Sequence, residues 1–256
     1  MKSRVSFLFA MAAALTFTPA STPAQIILDD FSDLNDTADP AWVRLSGAVG
    51  STGQSWDASS GNYRLQAPNN GLDSIGFVGS YVPTSYIDSI TRADFVTFGG
   101  PGNNPVFGVT ARLNGDNTPG ALDGYGWAYE PFAAAGAGEL VLYSIVNSSV
   151  NDISSMQYSL DPAKDYTFEL IIEGTSLLGR VYEIGGGLVA QQSATDATYA
   201  SGFSGVFGYS QSPLPPTDFT ADNFLVSPVP EPAIGWLLGG GALALLVRRR
   251  LFRRAP

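Results

Sequence analysis

Apolar and polar positions alternate with a period of two through most of this chain. In Asp165–Ile172, Tyr166, Phe168, Leu170 and Ile172 fall on one face and Thr167 and Glu169 on the other. Leu140–Val146 is apolar on both faces, the pattern of a central strand. Short runs of the same kind recur at Ile26–Phe31, Asn62–Gln66, Ile75–Val82, Ser89–Phe98, Pro105–Leu113, Gly124–Tyr129, Ser154–Leu160, Leu177–Ile184, Leu188–Ser193, Gly205–Tyr209 and Phe219–Val226. Turn clusters separate them: Ser59-Ser60-Gly61, Pro68-Asn69-Asn70-Gly71, Gly99-Gly100-Pro101-Gly102, Asn114-Gly115-Asp116, Asp161-Pro162-Ala163-Lys164 and Gly185-Gly186-Gly187. No window between the two ends reads as a long amphipathic helix. Many short strands at this spacing predict an all-β sandwich or barrel. Leu177–Ile184 and Leu188–Ser193, joined by three glycines, predict a hairpin.

The two ends break the pattern. Met1-Lys2-Ser3-Arg4, the apolar run Val5–Phe17 and the small residues Thr22-Pro23-Ala24 read as a secretory signal peptide over residues 1–24, with cleavage after Ala24 or Ala20. At the other end, residues 228–256 form a three-part tail. Val229-Pro230-Glu231-Pro232 precedes the apolar stretch Ala233–Val247, and Arg248, Arg249, Arg250, Arg253 and Arg254 form a basic end. As a single transmembrane helix the 15-residue stretch reaches roughly 22 Å, short of the about 30 Å of a bilayer core. Trp236 and the arginines extend that reach at the interfaces, and the positive charge favours a cytoplasmic C-terminus.

Between these ends lies one domain, residues 25–227, long enough for its own core. Residues 25–228 hold 22 acidic side chains against six basic ones, a net charge of −16. Such a surface repels nucleic acid and anionic lipid. The chain has no cysteine, hence no disulfide, and no histidine, which excludes Ser-His-Asp and Cys-His nucleophile systems and histidine zinc sites. Tyr125, Trp127 and Tyr129 alternate on one face of their strand. They read either as a glycan-stacking platform or as a core layer with Gly124, Gly126 and Ala128 facing out. Glu169 and Glu173 share a strand face and read as solvated carboxylates.

Two resemblances follow from these residues. Residues 229–254 resemble the PEP-CTERM sorting signal of Gram-negative bacteria. That implies recognition by an exosortase partner, contact with the membrane during sorting, removal of the tail, and delivery to the cell surface or the extracellular polysaccharide matrix. The order of Asp29-Asp30-Phe31, Trp42, Ser59–Leu65, Asp165–Leu170, Gly205–Tyr209 and Asp222-Asn223-Phe224 resembles the concanavalin A-like lectin/glucanase jelly roll in its laminin-G-like form. This implies a two-sheet antiparallel sandwich with first and last strands side by side. Pairing those strands would gather Asp29, Asp30, Asp222 and Asn223, an oxygen-rich set that reads as a structural calcium site or as turn chemistry. Asn114, Asp116, Asn117 and Asp123 form a second such set without the spacing of an EF-hand. The Glu-x-Asp-x-x-Glu arrangement of retaining glucanases is absent. The expectation is therefore a non-catalytic exported protein that needs no cofactor beyond such a calcium and binds extracellular polysaccharide. A hydrolase with an unfamiliar carboxylate pair and a purely structural matrix protein are the alternatives.

Overall fold

The computed structural model describes residues 25–46, 52–68, 76–98, 105–115, 118, 121–131, 138–210 and 216–230. The described residues form strands and no helix. In chain order the strands are β1 (Ile27–Asp29), β2 (Val43–Arg44), β3 (Ser55–Asp57), β4 (Tyr63–Ala67), β5 (Val78–Tyr86), β6 (Ser89–Thr97), β7 (Val106–Asn114), β8 (Asp123–Glu130), β9 (Glu139–Val146), β10 (Ser149–Gln157), β11 (Tyr166–Glu173), β12 (Ser176–Glu183), β13 (Leu188–Thr195), β14 (Gly202–Tyr209) and β15 (Thr217–Pro228). They pair antiparallel into two sheets. The first runs β13-β12-β11-β6-β15-β4-β3 with β1 beside β15, and the second runs β10-β9-β8-β7-β14-β5-β2.

The periodicity is borne out strand by strand. Tyr166, Phe168, Leu170 and Ile172 are all buried between the sheets. The β12–β13 hairpin closes over the three glycines, with Glu183 N–H donating to Gly187 O at 3.0 Å. The Asp161 turn closes through Lys164 N–H to Asp161 O at 3.0 Å. First and last strands pair as Ile27↔Val226 and Asp29↔Phe224. The two short strands β2 and β3 carry no alternation of their own and were not predicted. Strand β10 starts at Ser149, earlier than predicted, and bulges between Asp152 and Ser154.

Residues 1–24 and 231–256 lie outside the described residues, and with them the signal peptide, Glu231, Pro232, the apolar span and the basic end. The clusters at 69–71 and 99–102 also lie outside. Of the sorting motif, Val229 and Pro230 are described. Val229 N–H donates to Asp88 O at 3.4 Å where β15 ends.

The members of the main apolar cluster among the described residues come from 27–226, so the sandwich carries its own core. An aromatic group ties the first strand into it. The Trp42 ring packs edge-on against Phe224 at 4.7 Å and lies 5.3 Å from Tyr63, and Phe31 stacks on Tyr63 at 5.0 Å. At the end bearing the turns at 87–88, 174–175 and 196–201, a buried arginine joins three loops. Arg112 Nε donates to Ile87 O (2.8 Å), Nη1 to Tyr199 O (2.6 Å), and Nη2 to Gly174 O (2.9 Å) and Asp88 Oδ1 (3.1 Å). Its backbone takes a φ of 51° at a break in the β7–β8 register.

Candidate functional site

The outer face of the seven-stranded sheet is the most unusual surface of the fold. A sheet face turned away from the core is ordinarily polar. Here Val141, Tyr143, Ile145, Ala128, Phe207 and Tyr209 form a second buried apolar cluster on it. No described strand lies across this face, since all fifteen belong to the two sheets. The signal was present in the sequence, in the run Leu140–Val146 that is apolar on both sides.

Register shows how the face is built. One row crosses six strands as Asp152, Tyr143, Gly126, Thr110, Gly205 and Tyr81. The next crosses as Ser155, Val141, Ala128, Gly108, Phe207 and Gly79. Small residues therefore occupy the middle, and larger side chains stand on either side. A methyl group on Gly126 would meet the Phe207 ring at 3.1 Å and Tyr143 at 3.6 Å, so glycine is what lets those rings close over the floor. Tyr81 and Phe203 stack at 5.0 Å along the β5–β14 side.

Polar groups are set into this apolar floor. The phenols of Tyr143 and Tyr209 both donate to Glu130 Oε1, the latter at 2.9 Å, and lie 3.3 Å from each other. Burial, then the neighbouring phenol and Glu130, push the Tyr143 phenol far above the usual tyrosine range; burial, then Glu130, does the same for Tyr209. Both stay neutral, each with its single O–H given to Glu130. Glu139 stands opposite Glu130 in register. The Asp152 carboxyl is raised by burial and then by the charges of Glu130 and Glu139. Thr110 Oγ1 is buried on the floor with no hydrogen-bond partner, an expensive state for a hydroxyl. Tyr143, Val141, Ala128, Thr110 and Phe207 are only 0 to 1% exposed, so the part of this face that an apolar C–H surface can reach is the half-buried Tyr81–Phe203 pair.

Of the two readings of Tyr125, Trp127 and Tyr129, the structure shows the core layer and not the glycan platform. Tyr125, Trp127 and Tyr129 do share a face, but it is the inner one, where they are 0, 0 and 6% exposed. Their polar tips are spent inside the protein. Tyr125 donates to Asp196 Oδ1 (2.6 Å), Trp127 Nε1 donates to Arg180 O (3.0 Å), and the Tyr129 hydroxyl accepts from Leu160 N–H (3.3 Å). The intervening Gly126 and Ala128 face outward and make the floor described above.

The oxygen set at β1 and β15 is likewise not arranged around a metal. Asp29 points inward. One of its oxygens accepts from Phe31 N–H (2.8 Å) and the other from the Trp42 indole (2.7 Å). Burial raises its carboxyl, against the two hydrogen bonds that lower it. Asp30 is exposed and accepts from Ser32 N–H. Asp222 accepts from Asn223 N–H (2.7 Å), and the Asn223 amide donates to Asp94 (3.0 Å). Among the described residues no group of three or more carboxylates is placed to hold a metal ion. In the second set, Asp116 and Asn117 lie outside the described residues. Asn114 donates to the carbonyls of Arg112 and Ser201, and Asp123 accepts from Asn147 N–H. Glu169 and Glu173 lie on the outer face of the eight-stranded sheet, Glu173 exposed and Glu169 held by Arg180 (3.3 Å) and Tyr182 (3.2 Å).

No protein-family model and no curated protein matches the sequence. Solved structures do match. The lectin UEA-II in complex with galactose aligns with a TM-score of 0.56 at 8% identity, covering 80% of this chain and 99% of that one. A protein of unknown function with a galectin-like fold from Bacillus subtilis gives 0.55 at 12% identity, covering 81% and 97%. The exoplasmic/lumenal domain of VIP36, in its Ca2+/Man3GlcNAc-bound form, gives 0.52 at 12% identity, covering 78% and 88%. The chain has a lectin-like jelly-roll fold. At these identities the likeness concerns fold alone.

Proposed function

We propose that this chain is a non-catalytic, exported glycan-binding protein that engages polysaccharide along the β5–β14 side of its seven-stranded sheet, where the half-buried rings of Tyr81 and Phe203 stack. The observation that carries the reading is the stacked pair Tyr81–Phe203, half-buried beside an otherwise closed apolar face. Their rings supply C–H contact for a sugar. The neighbours named for galactose and Man3GlcNAc complexes make sugars the first ligands to try. The end sequences supply the route: export by residues 1–24, a hold in the membrane by 233–247, and exosortase processing at Val229–Pro232 before release to the cell surface or matrix.

Affinity electrophoresis of residues 25–230 through gels containing neutral and acidic polysaccharides tests the binding. Retardation by at least one glycan, reduced by Tyr81→Ala, is expected; no retardation of folded protein across a broad panel would refute it. Mass spectrometry of the mature surface protein tests the route, and an intact chain ending in Arg253-Arg254-Ala255-Pro256 would refute tail removal. The grouping of Glu130, Glu139 and Asp152 supports a second reading, a glycan hydrolase with an unfamiliar carboxylate pair. Release of reducing sugar, abolished by Glu130→Gln in a folded variant, would establish it.

A further inference from the structure

Of the six basic side chains between residues 25 and 228, five are committed. Arg44, Arg64, Arg112, Lys164 and Arg180 each meet a carboxylate within 3.3 Å. Arg92, on the outer face of the eight-stranded sheet, has no carboxylate partner among the described residues. It is exposed, and its guanidinium lies 6.0 Å from the centre of the Tyr182 ring. A pocket of about 290 Å³ opens there between Arg92, Asp94, Thr167 and Tyr182 and the Gly185–Gly187 turn. The acids around it are already engaged. Asp94 accepts from Thr167 and Asn223, Glu169 from Arg180 and Tyr182, and Glu183 from Lys164.

In a domain carrying a net charge of −16, a cation with no carboxylate partner among the described residues is conspicuous. A ring face fixes the plane of a guanidinium and leaves its N–H edge open, and that edge matches a carboxylate with two parallel hydrogen bonds. The remaining lone pairs of Asp94 and the Thr167 hydroxyl sit where sugar hydroxyls would reach.

We propose that the Arg92–Tyr182 pocket binds the carboxylate of a uronic acid residue in an acidic polysaccharide. The net charge selects against dianionic groups such as phosphate monoesters, whose repulsion by the whole domain is about twice that of a carboxylate. It also gives binding an unusual dependence on salt. Salt screens the long-range repulsion beyond a Debye length of about 8 Å, and weakens the contact pair much less. The site is separate from the face of the seven-stranded sheet, so the two proposals fail separately.

The test is calorimetric titration of residues 25–230 with tetragalacturonate, with a neutral galactose oligomer of the same length as control. Millimolar or tighter binding of the uronate is expected, with no loss between 20 and 150 mM salt. Arg92→Gln should weaken it about tenfold, the value of one lost charge-assisted pair. Absence of uronate binding, equal binding by a folded Arg92→Gln variant, or equal affinity for the neutral oligomer would each overturn the proposal.

Discussion

Replacing Arg112 by methionine removes the tie among three loops while keeping most of the side-chain volume. Four hydrogen bonds are lost, and the carbonyls of Ile87, Gly174 and Tyr199 lose a charged donor together with Asp88. At about 1 kcal/mol net for each bond, the loss is about 4 kcal/mol, within the roughly 3–5 kcal/mol seen when a buried ion pair loses one partner. One feature pulls the other way. Asp88 and Gly174 lie near solvent, so water replaces part of what is lost. The strained backbone at Arg112 is unchanged, because methionine tolerates φ 51° no better than arginine. A urea titration with a slope of about 2 kcal/mol per M would show the midpoint fall by about 1.5–2 M. Hydrogen exchange should speed up first around residues 87–88, 174 and 199. Arg112→Lys should lose nearly as much, because an ammonium lacks the planar fork that spans all four acceptors. A midpoint shift worth less than about 1 kcal/mol in a two-state transition would refute the reasoning.

Gly179→Ala should cost about 1–3 kcal/mol, because the added methyl would lie 2.3 Å from the Trp127 ring; thermal melts followed by tryptophan fluorescence check it. Thr110→Val removes a buried hydroxyl that has no partner. It should stabilise the fold by about 1 kcal/mol in a denaturant titration, and a loss of stability would contradict the floor as described. The folded pKa of Asp152 is raised by burial, Glu130 and Glu139, so its ionised form costs stability above that pKa, and the cost disappears below the unfolded value near 3.8. Asp152→Asn should therefore give a small gain at pH 7, under about 0.5 kcal/mol after solvent screening, that vanishes near pH 4. Denaturation at both pH values measures it, and a loss at pH 7 would contradict the sign.

Alternation revealed most of the fold, because one strand face after another is buried in a common core. It placed Tyr125, Trp127 and Tyr129 on a shared face, but period two says only that they lie together, not which side is inward. What turned them in is their use of Asp196, Arg180 and Leu160, partners 31 to 71 residues away along the chain. The same ambiguity hid the candidate site. Gly126 and Ala128 looked like an unremarkable outer face until Tyr143 and Phe207 closed over them. Asp29 shows a different limit. A carboxylate in an acidic pair reads as a cation ligand, yet its environment is set by Trp42, brought to it by a loop with no strand pattern. Arg92 stands out only when every other cation has been matched with its acid, which needs coordinates.

The central claim, that the seven-stranded sheet presents a glycan-binding face, is tested most directly by heteronuclear NMR of residues 25–230 titrated with the polysaccharide fragment that most retards them in gels. The account predicts the largest shifts at Tyr81 and Phe203, with Tyr125, Trp127 and Tyr129 moving little. Shifts confined to other surfaces, with this pair silent at saturation, would contradict it.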